Sequence, residues 1–486
     1  MNTTKITILT AALTATAAAF GAIRATSHDN YGGSSNAWQL KRHAEKMKEV
    51  AAGGAKIVFV GDSITHFWET NGRDQLKKYF SEGDMKMLDL GTSADRTEHV
   101  LWRLNEGGEL DGYEAKCVLL MIGTNNAGHF PFDAEPPSDA ILGVREIVKT
   151  IRAKQPKAKL VIQAIFPRGK DSSDAVRRRN DVVNREIMKF ADGKDIFWCD
   201  FSDDYLTADG TLPKELFPDL LHPAAHGYDI WYDAVKPYID YALADGRLPA
   251  PKNRCAKDRS ELAKAPSTVR PATRIRSEGY GKRDWWLDRL AQKRNEIADS
   301  KGAFDLVFFG DSITHNWENQ GKDMLAELKK TYSVLDIGYS GDRTEHLVWR
   351  GLNGELSGYK AKCIMLMIGT NNGKDSAADV AKGVKRVLEV IAEKQPQAVT
   401  LLLPIFPRGD AKDKSRAKNE KVNAIIKDYA DGKKVVWVDF NAQFLDKQGD
   451  TKWIMPDRLH PNADGYRNIW LPAVRPYFEK LTGKKQ

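Results

Sequence analysis

Two short serine-bearing motifs recur in the chain, each at the end of an apolar run. They are Gly61-Asp62-Ser63 and Gly310-Asp311-Ser312. An apolar, β-branched run that ends in glycine is typical of an interior strand of a parallel sheet. Because open α/β sheets bind ligands at the carboxyl ends of their strands, we expect both serines at such an edge. A serine there can act as a nucleophile, although the motif alone also suits a strand-to-helix turn capped by serine.

Three further blocks follow each serine in the same order. They are Gly-Thr-Ser-Ala-Asp-Arg-Thr (91–97) and Gly-Tyr-Ser-Gly-Asp-Arg-Thr (338–344), Gly-Thr-Asn-Asn (123–126 and 369–372), and Asp-Leu-Leu-His-Pro (219–223) and Asp-Arg-Leu-His-Pro (457–461). The first two blocks come directly after predicted strands, so their loops should converge with the serine on one edge of the sheet. Serine, histidine and aspartate together with amide and backbone donors are the groups that acyl transfer needs.

The matching blocks indicate a tandem duplication. The offset between the copies shrinks from 249 residues at Ser63 and Ser312 to 238 at His222 and His460, so the first copy carries insertions, one of them at 128–137. A chain of 486 residues also exceeds what one core usually holds, which favours two domains. We assign them to residues 36–244 and 284–482.

Each copy alternates strands and helices. Strands are predicted in the first copy at Ile57–Val60, Met87–Leu90, Cys117–Ile122, Leu160–Phe166 and Ile196–Cys199. A helix is predicted from Asp139 to Gln155, because apolar residues recur there at helical spacing and Gln155-Pro156 ends the run. This alternation predicts an α/β class with two tandem three-layer α/β/α domains, each built on a parallel sheet of about five strands.

Composition limits the possible functions. The formal charge is +8, but the chain has no zinc-finger spacing, RNA-recognition motif or phosphate-binding loop, so nucleic acid is not an expected partner. The four cysteines do not form a disulfide framework, and Cys117 and Cys363 are predicted to be buried thiols. No cysteine pair has metal spacing and no cluster of cysteine and histidine occurs, so the residues give no ligand set for a metal.

The first 26 residues have the pattern of a secretory signal peptide. A short positive start precedes an alanine-rich apolar run, and small residues around Ala25 offer a cleavage site. The alternative is a membrane anchor, but four threonines dilute the run, whereas a spanning helix needs about 20 predominantly apolar residues. We therefore predict a secreted or periplasmic protein without a stable membrane anchor.

A basic linker is predicted between the domains. Residues 245–283 are rich in arginine, lysine, proline and serine and poor in large apolar residues, so they cannot form a core of their own. A solvated tether is the simpler interpretation, and contact with an acidic polymer is the alternative.

The ordered blocks resemble the SGNH or GDSL hydrolase superfamily, and most of all its branch resembling platelet-activating factor acetylhydrolase catalytic subunits. Asp95-Arg-Thr-Glu-His-Val-Leu-Trp-Arg-Leu104 and Phe166-Pro-Arg-Gly169 support that branch. The resemblance covers residues from about 40 to 243 and from about 284 to 480. It implies a serine esterase that needs no cofactor.

The resemblance also implies roles for individual residues. Ser312 would be the nucleophile, His460 its general base and Asp457 the residue that orients His460. The first copy would use Ser63, His222 and Asp219 in the same way. The oxyanion hole would consist of the serine backbone N–H, the backbone N–H of Ala94 or Gly341, and the side-chain amide of Asn125 or Asn371.

Ala94 departs from the family pattern, which has glycine at this position. If the position requires a positive φ, alanine is strained by roughly 1–2 kcal/mol or moves away. We therefore expect both copies to be active and the second to be the more active one. The alternative is a first copy that only binds carbohydrate or acts as a scaffold, although its intact serine, histidine and aspartate argue against that.

Other polar residues of the blocks have simpler interpretations. His66 and His315 are expected to pack at the helix start, and Asp62 and Asp311 to shape the serine turn. Arg96 and Arg343 could line the pocket or pair with a carboxylate.

The function that these inferences favour is a secreted esterase. It would remove short acyl groups, above all acetyl, from carbohydrates or related alcohols. A lysophospholipase or phospholipid acetylhydrolase is the alternative among enzymes. The sequence leaves the oligomeric state and the arrangement of the domains open.

Overall fold

Each half of the protein is built on a five-stranded parallel sheet. The computed structural model describes residues 24–27, 37–128, 134–245, 247–256, 265–275, 285–451 and 453–485. The strands are Ile57–Gly61 (β1), Met87–Gly91 (β2), Cys117–Met121 (β3), Lys159–Gln163 (β4), Ile196–Cys199 (β5), Ala303–Gly310 (β6), Val334–Gly338 (β7), Lys360–Met367 (β8), Val399–Leu402 (β9) and Val435–Trp437 (β10). The two sheets have the same topology, with orders β2-β1-β3-β4-β5 and β7-β6-β8-β9-β10.

Helices cover both faces of each sheet. They are Ala37–Ala51 (α1), Ser63–His66 (α2), Arg73–Phe80 (α3), Thr97–Leu104 (α4), Thr124–Ala127 (α5), Pro137–Lys154 (α6), Ala175–Ile187 (α7), Ser202–Tyr205 (α8), Ala225–Leu243 (α9), Trp285–Ala298 (α10), Ser312–His315 (α11), Lys322–Thr331 (α12), Thr344–Arg350 (α13), Ala377–Lys394 (α14), Lys414–Ile426 (α15), Ala463–Gly465 (α16) and Leu471–Thr482 (α17). The predicted fold of two tandem α/β/α domains is confirmed.

The central strands are apolar throughout because both of their faces are buried. In β1, Val58 and Val60 pack in one apolar cluster, while Ile57 and Phe59 pack in another on the opposite face. Side chains alternate across a strand, so a continuous apolar run supplies both layers at once.

The fourth strand is shorter than predicted. It ends at Gln163, whereas the apolar run continues to Phe166. Beyond Gln163, the side chain of Asn184 takes the hydrogen bonds that a neighbouring strand would make. It accepts one from the backbone N of Ile165 at 2.8 Å and donates one to the Ile165 carbonyl at 2.9 Å.

The two halves share one apolar layer. Side chains from one face of each sheet, and from the helices that cover these faces, belong to a single continuous cluster. A buried ion pair joins the halves at this layer, where Arg294 in α10 donates to both carboxylate oxygens of Asp139 in α6 at 2.8 and 2.9 Å. The protein is therefore not two independent domains on a tether.

The described part of the predicted linker packs against both halves. Arg254 pairs with the edge strand β5, since its backbone N donates to the Trp198 carbonyl at 3.0 Å. Further on, Thr268 is fully buried and its hydroxyl donates to the Asp379 carbonyl at 2.7 Å. The interpretation of a solvated tether was wrong for these residues, because backbone hydrogen bonds to both halves substitute for a core of their own.

Two other expectations concern the N-terminal region and the cysteines. Residues 1–23 of the predicted signal peptide lie outside the described residues, and no helix in the described part of the chain has the length and apolar character to cross a membrane. Cys117 and Cys363 are buried free thiols, as predicted.

Candidate active site

Both serines lie in tight turns between a strand and a short helix. Ser63 begins α2, and Asp62 caps that helix by accepting a hydrogen bond from the backbone N of Ile64 at 3.0 Å. The preceding Gly61 is required by space, because a Cβ there would lie 2.6 Å from the Met121 carbonyl oxygen. Ser312 and Asp311 repeat this turn in the second half with the same 3.0 Å capping bond.

Hydrogen bonds connect serine, histidine and aspartate in the first half. Oγ of Ser63 lies 2.8 Å from Nε2 of His222, and Nδ1 of His222 lies 2.6 Å from Oδ2 of Asp219. The other oxygen of Asp219 accepts the backbone N–H groups of Leu221 and His222 at 2.9 and 2.7 Å. Asp219 therefore fixes both the loop and the imidazole ring.

The second half has the same arrangement. Oγ of Ser312 lies 2.8 Å from Nε2 of His460, and Nδ1 of His460 lies 2.6 Å from Oδ2 of Asp457. The chain between Asp and His bends through a left-handed residue in each half, Leu220 at φ 59° and Arg458 at φ 58°. In both halves the 2.8 Å distance between Oγ and Nε2 is short enough for proton transfer from the serine to a histidine that is unprotonated at Nε2.

The environment keeps these aspartates charged. Burial pushes the pKa of Asp219 upward, but the hydrogen bonds from His222 and Leu221 outweigh it, so the pKa lies below the usual value. The pKa of Asp457 is lowered by the same balance of burial and hydrogen bonds. A carboxylate that stays ionised holds the neighbouring Nδ1–H in place and stabilises an imidazolium.

The residues expected in the oxyanion holes lie side by side. Asn125 donates from its side-chain amide to the carbonyl of Asp95 at 2.7 Å, and Asp95 directly follows Ala94. In the second half, Asn371 donates to the carbonyl of Asp342 at 2.9 Å, next to Gly341. Each side-chain amide has two N–H groups, and the hydrogen bond to the aspartate carbonyl uses one of them. The arrangement can present several donors to one developing negative charge.

Ala94 adopts the backbone conformation that glycine adopts in the second half. Its φ is 67°, and that of Gly341 is 78°. The loop does not move away to relieve the strain, because Asp95 and Asp342 both close it with a 3.1 Å backbone hydrogen bond to the residue three positions earlier. Alanine therefore keeps the donor in place at a cost of roughly 1–2 kcal/mol.

A buried arginine under each loop expected to form the oxyanion hole was not singled out from the sequence. Arg103 donates to Oδ2 of Asp95 at 2.8 and 2.6 Å, pairs with Glu109, and reaches the Gly61 carbonyl at 3.4 Å. It thereby ties the oxyanion loop to the strand that carries Ser63. Arg350 makes the matching contacts with Asp342, Glu355 and Gly310. A sequence pattern could have identified both arginines, since each follows the aspartate of the Asp-Arg-Thr block by eight residues.

The histidines after the nucleophiles pack as expected. Nδ1 of His66 lies 2.9 Å from Oγ of Ser93, and His315 contacts Ser340 at the same distance. Burial and the nearby Arg42 lower the pKa of His66 to about 4, so its ring is neutral at pH 7. These rings support the oxyanion loop from the side of the helix.

Arg96 and Arg343 pair with carboxylates. Arg96 is buried, with Nε 3.0 Å from Glu98 and a second ion pair to Glu135, which belongs to the insertion of the first copy. Arg343 lies 2.9 Å from Glu345, and its side chain is 43% exposed. Glu135 thus pairs in the first half with a buried arginine whose counterpart in the second half is exposed.

An aromatic contact at the first histidine was also missed. The ring of Phe67 lies against the ring of His222, with a centroid distance of 4.6 Å and an interplanar angle of 30°. The corresponding residue in the second half is Asn316. No sequence pattern ties a residue at this position to a histidine so far along the chain.

Comparison with known proteins settles the family. A profile described as the GDSL-like lipase/acylhydrolase family matches residues 59–230 and 308–467, once in each half. The chain belongs to this family. As a member, it is a serine ester hydrolase. Among the described residues, no cluster of three or more His, Cys, Asp or Glu side chains could hold a metal ion.

Each curated relative matches a segment of this GDSL-family chain that is about as long as one of its two structural halves. The platelet-activating factor acetylhydrolase IB subunit alpha2 of Rattus norvegicus is 34% identical over 192 residues, which is 39% of this chain and 82% of the relative. The alpha1 subunit of Pongo abelii is 32% identical over 176 residues, or 36% of this chain and 75% of the relative.

Solved structures of the family are more distant. A GDSL-like lipase from Bacteroides thetaiotaomicron is 20% identical, with a TM-score of 0.35, and covers 41% of this chain and 98% of its own. A catalytic mutant of an acetylxylan esterase from Geobacillus stearothermophilus is 19% identical, with a TM-score of 0.31, and covers 42% and 98%.

Proposed function

We propose that the protein is a secreted esterase that removes short acyl groups, above all acetyl, from carbohydrates or related alcohols. The observation that carries this proposal is the hydrogen-bonded chain from serine through histidine to aspartate in both halves, with distances of 2.8 and 2.6 Å. Each of these Ser–His–Asp arrangements lies beside a loop that carries potential oxyanion donors.

In this mechanism each half works through an acyl-enzyme. His460 takes the proton of Ser312 as Oγ attacks the ester carbonyl, and the backbone N–H groups of Ser312 and Gly341 with the Asn371 amide stabilise the oxyanion. The C–O bond to the alcohol breaks, and the alcohol leaves with the proton from His460. Water then attacks the acyl-serine by the reverse sequence and releases the acid. Ser63, Ala94, Asn125 and His222 act alike in the first half.

Three features favour a small acyl group on a polar alcohol. The N-terminal sequence pattern favours export, the formal charge of +8 suits polar or acidic polymers better than neutral lipid, and the sequence carries no obvious hydrophobic lid over the sites. The curated relatives also support acetyl as the acyl group, since they are acetylhydrolases by name.

The second candidate is a phospholipid acetylhydrolase or lysophospholipase. It is favoured by the 34% identity to the alpha2 subunit of platelet-activating factor acetylhydrolase over 82% of that relative. Both candidates share the chemistry and differ in the alcohol, and in the lysophospholipase case also in the length of the acyl chain.

Two measurements separate these candidates. The intact protein should release acetate from a panel of acetylated polysaccharides faster than from a 2-acetyl phospholipid. Its activity on p-nitrophenyl esters should fall steeply from acetate to octanoate. A preference for chains of eight carbons or more, or for the phospholipid, would contradict the carbohydrate proposal.

A separate measurement tests whether both halves are catalytic. A fluorophosphonate probe should modify Ser63 and Ser312, which peptide mapping by mass spectrometry can distinguish. Modification of Ser312 alone would make the first half a binding domain.

A further inference from the structure

A row of aromatic rings leads from solvent to the catalytic histidine of the first half. Trp38 stacks on His66 at 6.1 Å with an interplanar angle of 18°, His66 contacts Phe67 at 5.9 Å, and Phe67 contacts His222 at 4.6 Å. We call Trp38, His66 and Phe67 the aromatic wall. Its outer end is open, because Trp38 is 41% exposed.

The second half interrupts this row. Asn316 stands where Phe67 stands in the first half, and it follows His315 with nearly the same backbone angles (φ −54°, ψ −33° for His315 and φ −51°, ψ −33° for His66). Trp285 corresponds to Trp38, but the guanidinium of Arg274 lies over its ring at 5.1 Å. The halves thus differ in the chemistry of this surface and not in its backbone.

The position of the wall identifies the part of the substrate that it contacts. In serine esterases the leaving alcohol takes its proton from the histidine, so the alcohol lies beside that ring. Phe67 packs on the ring of His222, so it borders the space around the histidine that the leaving alcohol occupies. The wall then continues outward to exposed Trp38, which suits an alcohol that extends into solvent rather than a buried acyl chain.

A pyranose ring fits these features. It has an apolar C–H face that can lie on an aromatic ring, and hydroxyl groups at its edge that stay in water. Aromatic side chains with one apolar face and a wet edge are suited to such amphipathic ligands.

We propose that the aromatic wall is a subsite for the neutral sugar rings of an acetylated oligosaccharide, and that only the first half carries it. This inference rests on the proposed esterase function. The first half then prefers esters whose alcohol is an oligosaccharide, while the second half shows little dependence on the length of the sugar chain.

The activity test uses the full chain with Ser312→Ala, so that only the first half reacts. The measured quantity is the ratio of kcat/KM for an acetylated xylotetraose to kcat/KM for ethyl acetate, whose alcohol has no ring. Phe67→Asn, which installs the residue of the second half, should lower this ratio about tenfold, as expected for the loss of one stacking contact. Trp38→Ala should lower it more for the tetraose than for acetylated xylose.

Matched variants show whether the effect belongs to the wall. Trp285→Ala, the corresponding change in the second half, should leave the ratio of the Ser312→Ala protein unaltered. With Ser63→Ala in place of Ser312→Ala, Asn316→Phe should raise the ratio of the second half. Equal losses on both substrates in Phe67→Asn would mean that Phe67 merely positions His222, and this would overturn the proposal.

A binding experiment tests the subsite independently of hydrolysis. The doubly inactive Ser63→Ala/Ser312→Ala protein should bind unacetylated xylohexaose in isothermal titration calorimetry, and Phe67→Asn or Trp38→Ala should weaken the Kd about tenfold. Absence of binding, or binding that these changes do not alter, would overturn the subsite. Failure of the wild-type protein to hydrolyse any acetyl ester would instead refute the esterase proposal, and the calorimetry would still decide the subsite.

Discussion

The two halves of this protein hold a serine, a histidine and an aspartate in the same geometry but surround them differently. The serine–histidine distance is 2.8 Å and the histidine–aspartate distance is 2.6 Å in both halves. The first half has Ala94 in the oxyanion loop and Phe67 against the histidine, where the second half has Gly341 and Asn316. The side chain of His222 is 16% exposed, whereas that of His460 is 26% exposed.

This difference shows which parts of the site can vary. Short hydrogen bonds link serine to histidine and histidine to aspartate, and the buried arginine binds the aspartate of the adjoining loop at 2.6–2.9 Å, so these parts depend on one another. Phe67 contacts the ring of His222, and Asn316 replaces it in the second half without a change in the serine–histidine distance of 2.8 Å. Duplication therefore allows two substrate preferences to develop around a constant chemistry.

The largest expected effect is the loss of activity when the serine of one half, Ser63 or Ser312, is replaced. Each serine-to-alanine change should lower the activity of its own half by about 10⁴-fold or more, because it removes the oxygen that attacks the ester carbonyl. Since Gly341 is unstrained and Ala94 is strained, Ser312→Ala should remove most of the acetate release of the whole protein, and Ser63→Ala should remove less. Initial rates of the two single variants and the double variant on one acetyl ester measure this.

The double variant sets the background for that comparison. Equal losses in the two single variants would refute the ranking of the halves while leaving the triads intact. Residual activity of the double variant near that of wild type would place the reaction elsewhere in the molecule.

The second prediction concerns the buried arginines, which are alike in both halves. Arg103→Met should destabilise the protein by about 3–5 kcal/mol, because it removes the buried cation that pairs with both Asp95 and Glu109. Arg350→Met should cost a similar amount. Urea denaturation measures both effects, and kcat/KM of the single-serine variants shows whether catalysis falls only in the half that carries the change. A cost below 1 kcal/mol would mean that the network does not hold the loop.

The sequence was sufficient to predict the duplication and the fold, and it singled out side chains that the structure brings together, Ser63 with His222 and Ser312 with His460. These depend on local patterns, namely apolar runs before glycine and four ordered blocks, and such patterns are visible along the chain. The sequence did not predict the packing of the described linker residues against both halves, the pairing of Arg103 with Asp95, or the contact of Phe67 with His222. Each depends on which surface a neighbouring segment offers after folding, and residue types alone do not encode that directly.

The third prediction uses the pH dependence of stability. Burial raises the pKa of Asp62 and of Asp311 to about 7 from 3.8, so the folded protein holds protons that the unfolded chain has released between about pH 4 and pH 7. Stability contributed by these groups is therefore lost as the pH rises through this range. Asp62→Asn keeps a capping oxygen and should stabilise the protein at pH 8 by up to roughly 3 kcal/mol, with little effect near pH 4.

A capping aspartate at the surface provides the control with the opposite sign. Asp413 accepts hydrogen bonds from the backbone N atoms of Ser415 and Arg416, and the bond from Arg416 is the main cause of its lowered pKa. The ionised carboxylate of Asp413 stabilises the folded protein above about pH 4, and this stabilisation is lost at lower pH. Asp413→Asn should therefore lower the free energy of unfolding at pH 7 and not at pH 2. If Asp62→Asn destabilised equally at all pH values, its carboxyl group would not be titrating in this range.

The smallest expected effect bears directly on the difference between the oxyanion loops. Ala94→Gly should relieve strain, raise the stability of the protein by about 1 kcal/mol and increase kcat of the first half, measured with Ser312→Ala present. Gly341→Ala should do the reverse in the second half, and more strongly, because its new Cβ would lie 2.9 Å from Nη1 of Arg274. Arg274 must then shift, and complete loss of the oxyanion donor would lower kcat by about 10²–10³-fold. If both exchanges leave kcat unchanged, the strain at Ala94 does not set the relative activity of the halves. Any difference in activity would then come from the other residues that differ around the two sites, such as Phe67 and Asn316.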